Sequence, residues 1–168
     1  MARPQAGFGW SELMSVRADA ETFRSIPIFS ECDPVHLQLL AFSAARQNFE
    51  SGDLVLKQGF KGGAAYLILN GRVDISSNEN GKIGSAGPGA MLGEVAMIGD
   101  GAYAITARAT EALSTARIDR ALFMRLAQEY PEFGSAVFAA LAAKLDYSIG
   151  ELDVTRHAFE QARSFKSL

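Results

Sequence analysis

Cysteine is almost missing from this chain: Cys32 stands alone among 168 residues. That excludes an internal disulfide framework and a zinc site built from cysteines, and it fits a reducing compartment. Histidine is nearly as scarce, with only His36 and His157, each alone on an expected helix; a solvated or structural role is the ordinary one there, and no metal centre is expected. No charge of one sign dominates, since 16 basic and 19 acidic residues are interspersed for a formal net charge of −3. The basic stripe of a nucleic-acid binder is therefore missing, and direct DNA binding is not expected. Long hydrophobic runs are missing too. No stretch approaches the ~18 apolar residues of a membrane span, and the opening MARPQAGFGWSELMSV lacks the apolar centre of a secretory signal. The expected address is the cytoplasm.

Catalytic motifs are equally sparse. No carboxylate pair and no Ser/His/Asp order falls at motif spacing, so no enzymatic activity is expected, and a hydrolase ranks behind two non-catalytic readings. GPGAMLG, ending at Gly93, approaches a dinucleotide fingerprint, but its glycines stand at the wrong intervals and no strand–helix–strand pattern surrounds them. Turn glycine is the simpler reading. Cys32 precedes an expected helix start, where dipole activation is weighed against a plain reduced thiol, and the plain thiol is preferred.

What the chain does have is a change of period. Residues 1 to about 32 are loosely patterned, with Phe8, Trp10, Leu13 and Val16 spaced for a short amphipathic turn or two before SIPIF halts at Pro27. An arm packed on the domain is expected, with disorder of its first residues as the alternative. DPVHLQLLAFSAARQNF, residues 33–49, then predicts one helix with Asp33 as N-cap, Pro34 at its first position, and Val35, Leu39, Leu40 and Phe42 as its apolar side. From Phe49 the period becomes two. DLVLKQG, AAYLILNG, RVDISSNENG, KIGSAG, AYAITARAT and ALSTARID are short runs cut by glycine or asparagine, the pattern of hairpins in a sandwich or barrel. From Arg120 the helical period returns. RALFMRLAQEY stops before Pro131, and residues 131–165 read as one helix interrupted only by Gly134 and Gly150.

In this order the landmarks resemble a family. SIPIFSECDPVHLQLL, SGDLVLKQG, AAYLILNGRVDI, GPGAMLGEVAMI and two closing helices look like the cyclic nucleotide-binding domain of catabolite-activator-type regulators, cyclic-nucleotide-gated channels and kinase regulatory subunits. The resemblance covers residues ~24 to ~160 and rests on ordered landmarks instead of one short motif. It implies a mainly β fold with flanking helices, an eight-stranded β-roll of the double-stranded β-helix or jelly-roll type, followed by a long C-terminal helix. The expected division is an N-terminal, partly helical arm over 1–23, the roll over 24–130 and a dimerisation helix over 131–168.

The resemblance also implies a site. In the family a short helix opening on Gly-Glu sits in a loop around the cyclic phosphate; here that segment is Gly93, Glu94, Val95, Ala96, Met97 and Ile98. Free amides at such a helix start point at an anion, and glycine permits close approach of the backbone. Glu94 is the odd member, an anion beside an anion site, and similarity assigns it to a ribose hydroxyl; the plainer reading is that it favours its own helix start. The family closes the site with an arginine followed by a small residue. Counting from Glu94, Tyr103 holds that place, followed by Ala104, Ile105 and Thr106. A charge-assisted bond contributes ~1.5–3 kcal/mol, and losing one partner of a buried charged pair costs ~2–5 kcal/mol. Roughly one to three decades of affinity for cyclic AMP or cyclic GMP are at stake. Of the other cations in the β block, Lys57, Lys61, Arg72 and Arg108, none is favoured as a substitute, and strand alternation puts Arg108 on the face opposite Tyr103.

Beyond the roll, Phe138, Leu141, Leu145, Ser148, Leu152, Thr155, Phe159 and Ala162 alternate spacings of three and four. They form a seam that suits a parallel helix pair between two copies, with packing on the chain's own roll as the alternative. A homodimer through residues 135–163 is expected, and the resemblance gives Ser148 a contact to a bound base, with a polar position that fixes the register of the seam as the alternative. There is no room after that helix for a DNA-binding effector domain within the chain. The readings carried forward are two: a non-enzymatic ligand-sensing regulatory module with weakened or altered nucleotide binding, taking a cyclic nucleotide or another small ligand and acting on a regulatory protein partner; or a dimerisation and protein-interaction scaffold on the same fold that binds no ligand.

Overall fold

A computed structural model describes residues 10–99 and 101–144. The chain opens with helix α1, Trp10–Arg24, then a single 3-10 turn, Pro27–Phe29, and helix α2, Pro34–Ser43. α2 starts where expected: Pro34 occupies the first turn, and the Asp33 carboxylate accepts from the Val35 amide at 2.8 Å. Its end and its buried side differ from expectation. The helix stops at Ser43, and Ala45–Phe49 form strand β1 instead of its last turn. The buried side is His36, Leu37, Leu40 and Ala41, whereas Val35 and Phe42 are 60% and 57% exposed. The apolar stripe read from sequence was rotated because two large hydrophobes face outward. α1 likewise presents Trp10, Leu13 and Met14 to the outside and buries Asp19, Ala20 and Phe23.

Seven further strands follow, β2 Leu54–Leu56, β3 Ala64–Asn70, β4 Val73–Ser77, β5 Gly81–Ala86, β6 Met91–Leu92, β7 Thr106–Ala109 and β8 Leu113–Asp119. All pairings are antiparallel, in two four-stranded sheets ordered β1-β8-β3-β6 and β2-β7-β4-β5. This is the β-roll. Helix α3, Glu94–Gly99, lies between β6 and β7; helix α4, Arg120–Glu129, follows β8 directly, with Asp119 as its N-cap. After Tyr130 the chain is helical again over residues 131–144, labelled α5, and passes through Gly134 without a break. The seam residues from Leu145 onward, with Ser148, Gly150 and His157, lie outside the described residues, as does Phe8.

Strand alternation divides the buried residues into two cores. On β3, Ala65 and Leu67 face the helices, while Ala64, Tyr66 and Ile68 face the roll interior. The helix-side core joins α1, the 3-10 turn, α4 and α5 through Phe23, Phe29, Phe123 and Phe133, with ring centroids 5.6 Å apart for Phe23–Phe29 and 5.8 Å for Phe123–Phe133. Leu141, one member of the expected seam, belongs to this core, whereas Phe138 is 44% exposed. The roll interior is made of smaller side chains, among them Val73, Leu92, Ala107 and Ala109, with Tyr103 packed at its margin.

Candidate functional site

Six of the seven residues singled out from sequence fall in one segment, Gly93 to Ala104. Gly93 stands between β6 and α3: its carbonyl accepts the Met97 amide at 3.0 Å, the first bond of the helix. Glu94 and Val95 stand on the first turn, Val95 exposed, and Ala96 is buried beneath it. Tyr103 and Ala104 lie in the loop before β7, since the strand begins only at Thr106. The alternation argument that set Arg108 against Tyr103 therefore has no strand to run along. Arg108 is exposed and donates to the Gly52 carbonyl at 2.6 Å. The loop is tied down by backbone bonds, Tyr103 N–H to the Phe60 carbonyl at 2.9 Å and Gly59 N–H to the Tyr103 carbonyl at 2.9 Å.

These bonds aim the Tyr103 ring at two glycines. Gly93 has φ +82°, and a Cβ there would come within 2.8 Å of the ring and 3.0 Å of the Ala64 carbonyl oxygen. A Cβ on Gly62 would meet Ala96 Cβ and stand 3.0 Å from the same ring. Only glycine permits so close an approach at both positions. The phenol donates to the Ala64 carbonyl at 2.8 Å, so the ring's polar end is satisfied within the fold. Burial pushes the phenol pKa above its ordinary value, with Tyr66 adding to the rise and the Arg117 guanidinium opposing it. Tyr103 is thus a neutral donor already spent on a carbonyl.

Glu94 also has a partner. Its carboxylate, with the side chain 13% exposed, receives the Lys144 ammonium of α5 at 2.7 Å. The pair stands at a cavity of about 350 Å³ lined by Pro27, Ala90, Met91 and Ala140 among others. At the opposite end of α3, Arg120 donates to the Met97 and Ile98 carbonyls at 2.8 and 2.5 Å, a cation on the negative end of the helix. Sequence reading gave no role at the site to Gly62, Ala64, Lys144 or Arg120. Of these only the Gly62-Gly63 pair carried a local signal, and it reads as an ordinary turn. Cys32 is buried, and its thiol is pushed up to about 11, first by burial and then by Glu31, so it is a protonated thiol at neutral pH. Among the described residues no cluster of three or more His, Cys, Asp or Glu is placed to hold a metal, and no helix is long and apolar enough to cross a membrane.

Residues 46–130, half of the chain, match the family described as the cyclic nucleotide-binding domain. The chain belongs to that family. Among cyclic nucleotide-binding relatives it is 30% identical over 101 residues to the cAMP-dependent protein kinase regulatory subunit of Schizosaccharomyces pombe, covering 60% of this chain and 24% of that one. It is 27% identical over 142 residues to the cyclic AMP receptor protein of Thermus thermophilus, covering 82% and 65%. The chain therefore spans less than two thirds of the length of either relative. In three dimensions it matches a cyclic nucleotide-binding-like protein from Brucella abortus with TM-score 0.60 and 30% identity, over 66% of this chain and 98% of the other. The family supplies the fold; the filling of the glycine cradle by Tyr103 is read from this chain alone.

Proposed function

We propose that the chain is a non-enzymatic, ligand-sensing regulatory module in which cyclic nucleotide binding is weakened or altered at Tyr103. One observation carries this reading. The space beside the Gly93 backbone, where a family member would receive an anionic phosphate, holds a phenol ring whose hydroxyl is bonded to Ala64 at 2.8 Å. An arginine would bring a charged fork matched to phosphate oxygens, and Tyr103 brings one neutral donor. The ligand remains a cyclic nucleotide or another small molecule held by Gly93, Glu94, Val95, Ala96 and Ala104, with Ser148 on the base. The relatives' names support the regulatory role, and a protein partner receives the signal. The cytoplasm is the proposed location.

Calorimetric titration of cyclic AMP and cyclic GMP into the native protein and Tyr103→Arg tests the reading. Weak or undetectable binding is expected for the native chain, with a gain of roughly one to three decades in the variant. Tight binding by the native chain would overturn the weakening. No binding by either would favour the second reading, a ligand-free dimerisation scaffold. That reading draws on a specific observation: Glu94 and Tyr103, the two polar side chains of the site among the described residues, are both bonded within the fold.

Assembly as a homodimer through residues 135–163 belongs to both readings. Sedimentation should give a dimer, and Leu145→Asp combined with Leu152→Asp should give folded monomers, because the new charges are solvated when alone and buried when paired. A native chain that is monomeric at micromolar concentration would refute the seam.

A further inference from the structure

A second cavity, of about 390 Å³, opens between the end of α2, the start of β1, the end of β8 and the first turns of α4. It is lined by Ser43, Ala45, Arg117, Asp119, Leu122 and Arg125, together with Ala121, and shares no residue with the Gly93–Ala104 segment. Its charges do not balance. Asp119 spends one carboxylate oxygen on the Leu122 amide at 2.8 Å as the N-cap of α4, and the other lies 3.5 Å from the Arg117 guanidinium, a loose contact. Arg125 is exposed on α4 and has no hydrogen bond or ion pair among the described residues. Two guanidiniums thus line a concave site against one carboxylate that is already engaged, in a chain whose formal net charge is −3.

We infer that this cavity is a second, separate binding site for a small dianion carrying a phosphoryl group, held by Arg117 and Arg125. Guanidinium is the side chain whose planar donor fork matches phosphate oxygens, and two of them answer a charge of −2 where one would leave it half neutralised. The volume falls at the lower end of small-ligand cavities, which suits a phosphate with a short organic body. Arg117 also ties this cavity to the roll. It is registered opposite Tyr66 on β3, so both side chains leave the sheet on the same face, and Tyr66 belongs to the interior core against which Tyr103 packs. An anion that neutralises Arg117 changes the field at the margin of the Gly93 segment without touching it.

Inorganic phosphate is the probe, read by thermal unfolding against sodium chloride at matched ionic strength and by the side-chain Nε–H signals of arginine in NMR. A saturable stabilisation is expected, since a ligand of the native state raises its stability, with two arginine signals shifting along one binding curve. Arg125→Ala, at an exposed helical position, should weaken phosphate about tenfold, the value of one charge-assisted contact. Arg117→Leu with Arg125→Ala should abolish the saturable part; if that pair does not fold, Arg125→Ala alone decides. A phosphate effect no larger than that of chloride, or one untouched by Arg125→Ala, means an adventitious ion only and overturns the site. The Tyr103→Arg titration stands apart, because Arg125→Ala should leave its cyclic nucleotide response unchanged whichever way that response falls.

Discussion

The two cores of this molecule are built by opposite rules. The helix-side core buries four phenylalanines to 1% exposure or less, Phe23, Phe29, Phe123 and Phe133, contributed by α1, the 3-10 turn, α4 and α5. The roll interior has no phenylalanine that is fully buried and relies on alanine, valine, isoleucine and leucine with Tyr66, while Tyr103 packs at its edge. A large aromatic ring buries far more apolar area than an aliphatic side chain, so side-chain burial ties the helical layer together more strongly, residue for residue, than it fills the roll interior. The difference also separates tasks. A ring packed among rings has little freedom to accept a ligand, whereas an interior of small side chains with glycines at its rim leaves backbone accessible, and there Tyr103 has entered.

The largest expected effect tests the mechanical half of this contrast. Phe123→Ala should cost about 3–5 kcal/mol, whereas Ile68→Val in the roll interior should cost about 0.5–1.5 kcal/mol. Denaturant unfolding measures both, and the comparison fails if the second substitution costs as much as the first. The next effect tests the glycine rim. Gly93→Ala combines a positive φ with a Cβ 2.8 Å from the Tyr103 ring, and backbone strain alone is of order 1–3 kcal/mol. Removing the ring should relieve only the contact part. In a double-mutant cycle Tyr103→Ala is expected to make Gly93→Ala less costly by ~0.5–3 kcal/mol, and strict additivity would mean that the ring does not press on Gly93.

How much of this was legible beforehand follows the range of the interactions. The landmarks from Asp33 to Pro131 are local signals, and the N-cap at Asp33, the runs that became β2 to β5, β7 and β8, and the stop before Pro131 were readable from neighbours in sequence. β1 was not, because ARQNF offers no apolar alternation; it lies at a sheet edge with three of its five residues exposed and the other two only partly buried. It is a strand because β8 pairs with it, and that partner lies some 68 residues away in register. The face of α2 was misread for a related reason: burial is decided by what packs against a helix, and exposed Phe42 and Val35 are apolar just as buried Leu37 is. In the site, counting from Glu94 sufficed to find Tyr103. That its hydroxyl would reach Ala64, 39 positions earlier, and that Glu94 would meet Lys144, 50 positions later, are facts of the folded chain alone.

The smallest effect is the most direct probe of the ring's present state. Tyr103→Phe keeps the aromatic packing beside Gly62 and Gly93 and removes only the hydroxyl donor to Ala64, at an expected cost of about 1 kcal/mol. Its pH dependence distinguishes a spent donor from a free one. The phenol pKa in the folded chain lies above its ordinary value of about 10 because the ring is partly buried. Below that ordinary value both folded and unfolded chains hold the proton, and the contribution to stability is fully present. As pH rises past it, the unfolded chain releases its proton first, and the contribution is lost until the folded phenol ionises as well. The native protein should therefore lose stability on the alkaline side of pH ~10, in a part of the curve that Tyr103→Phe lacks. Identical alkaline slopes in the two proteins would place the Tyr103 hydroxyl in water, and would return the cradle beside Gly93 to an open anion site.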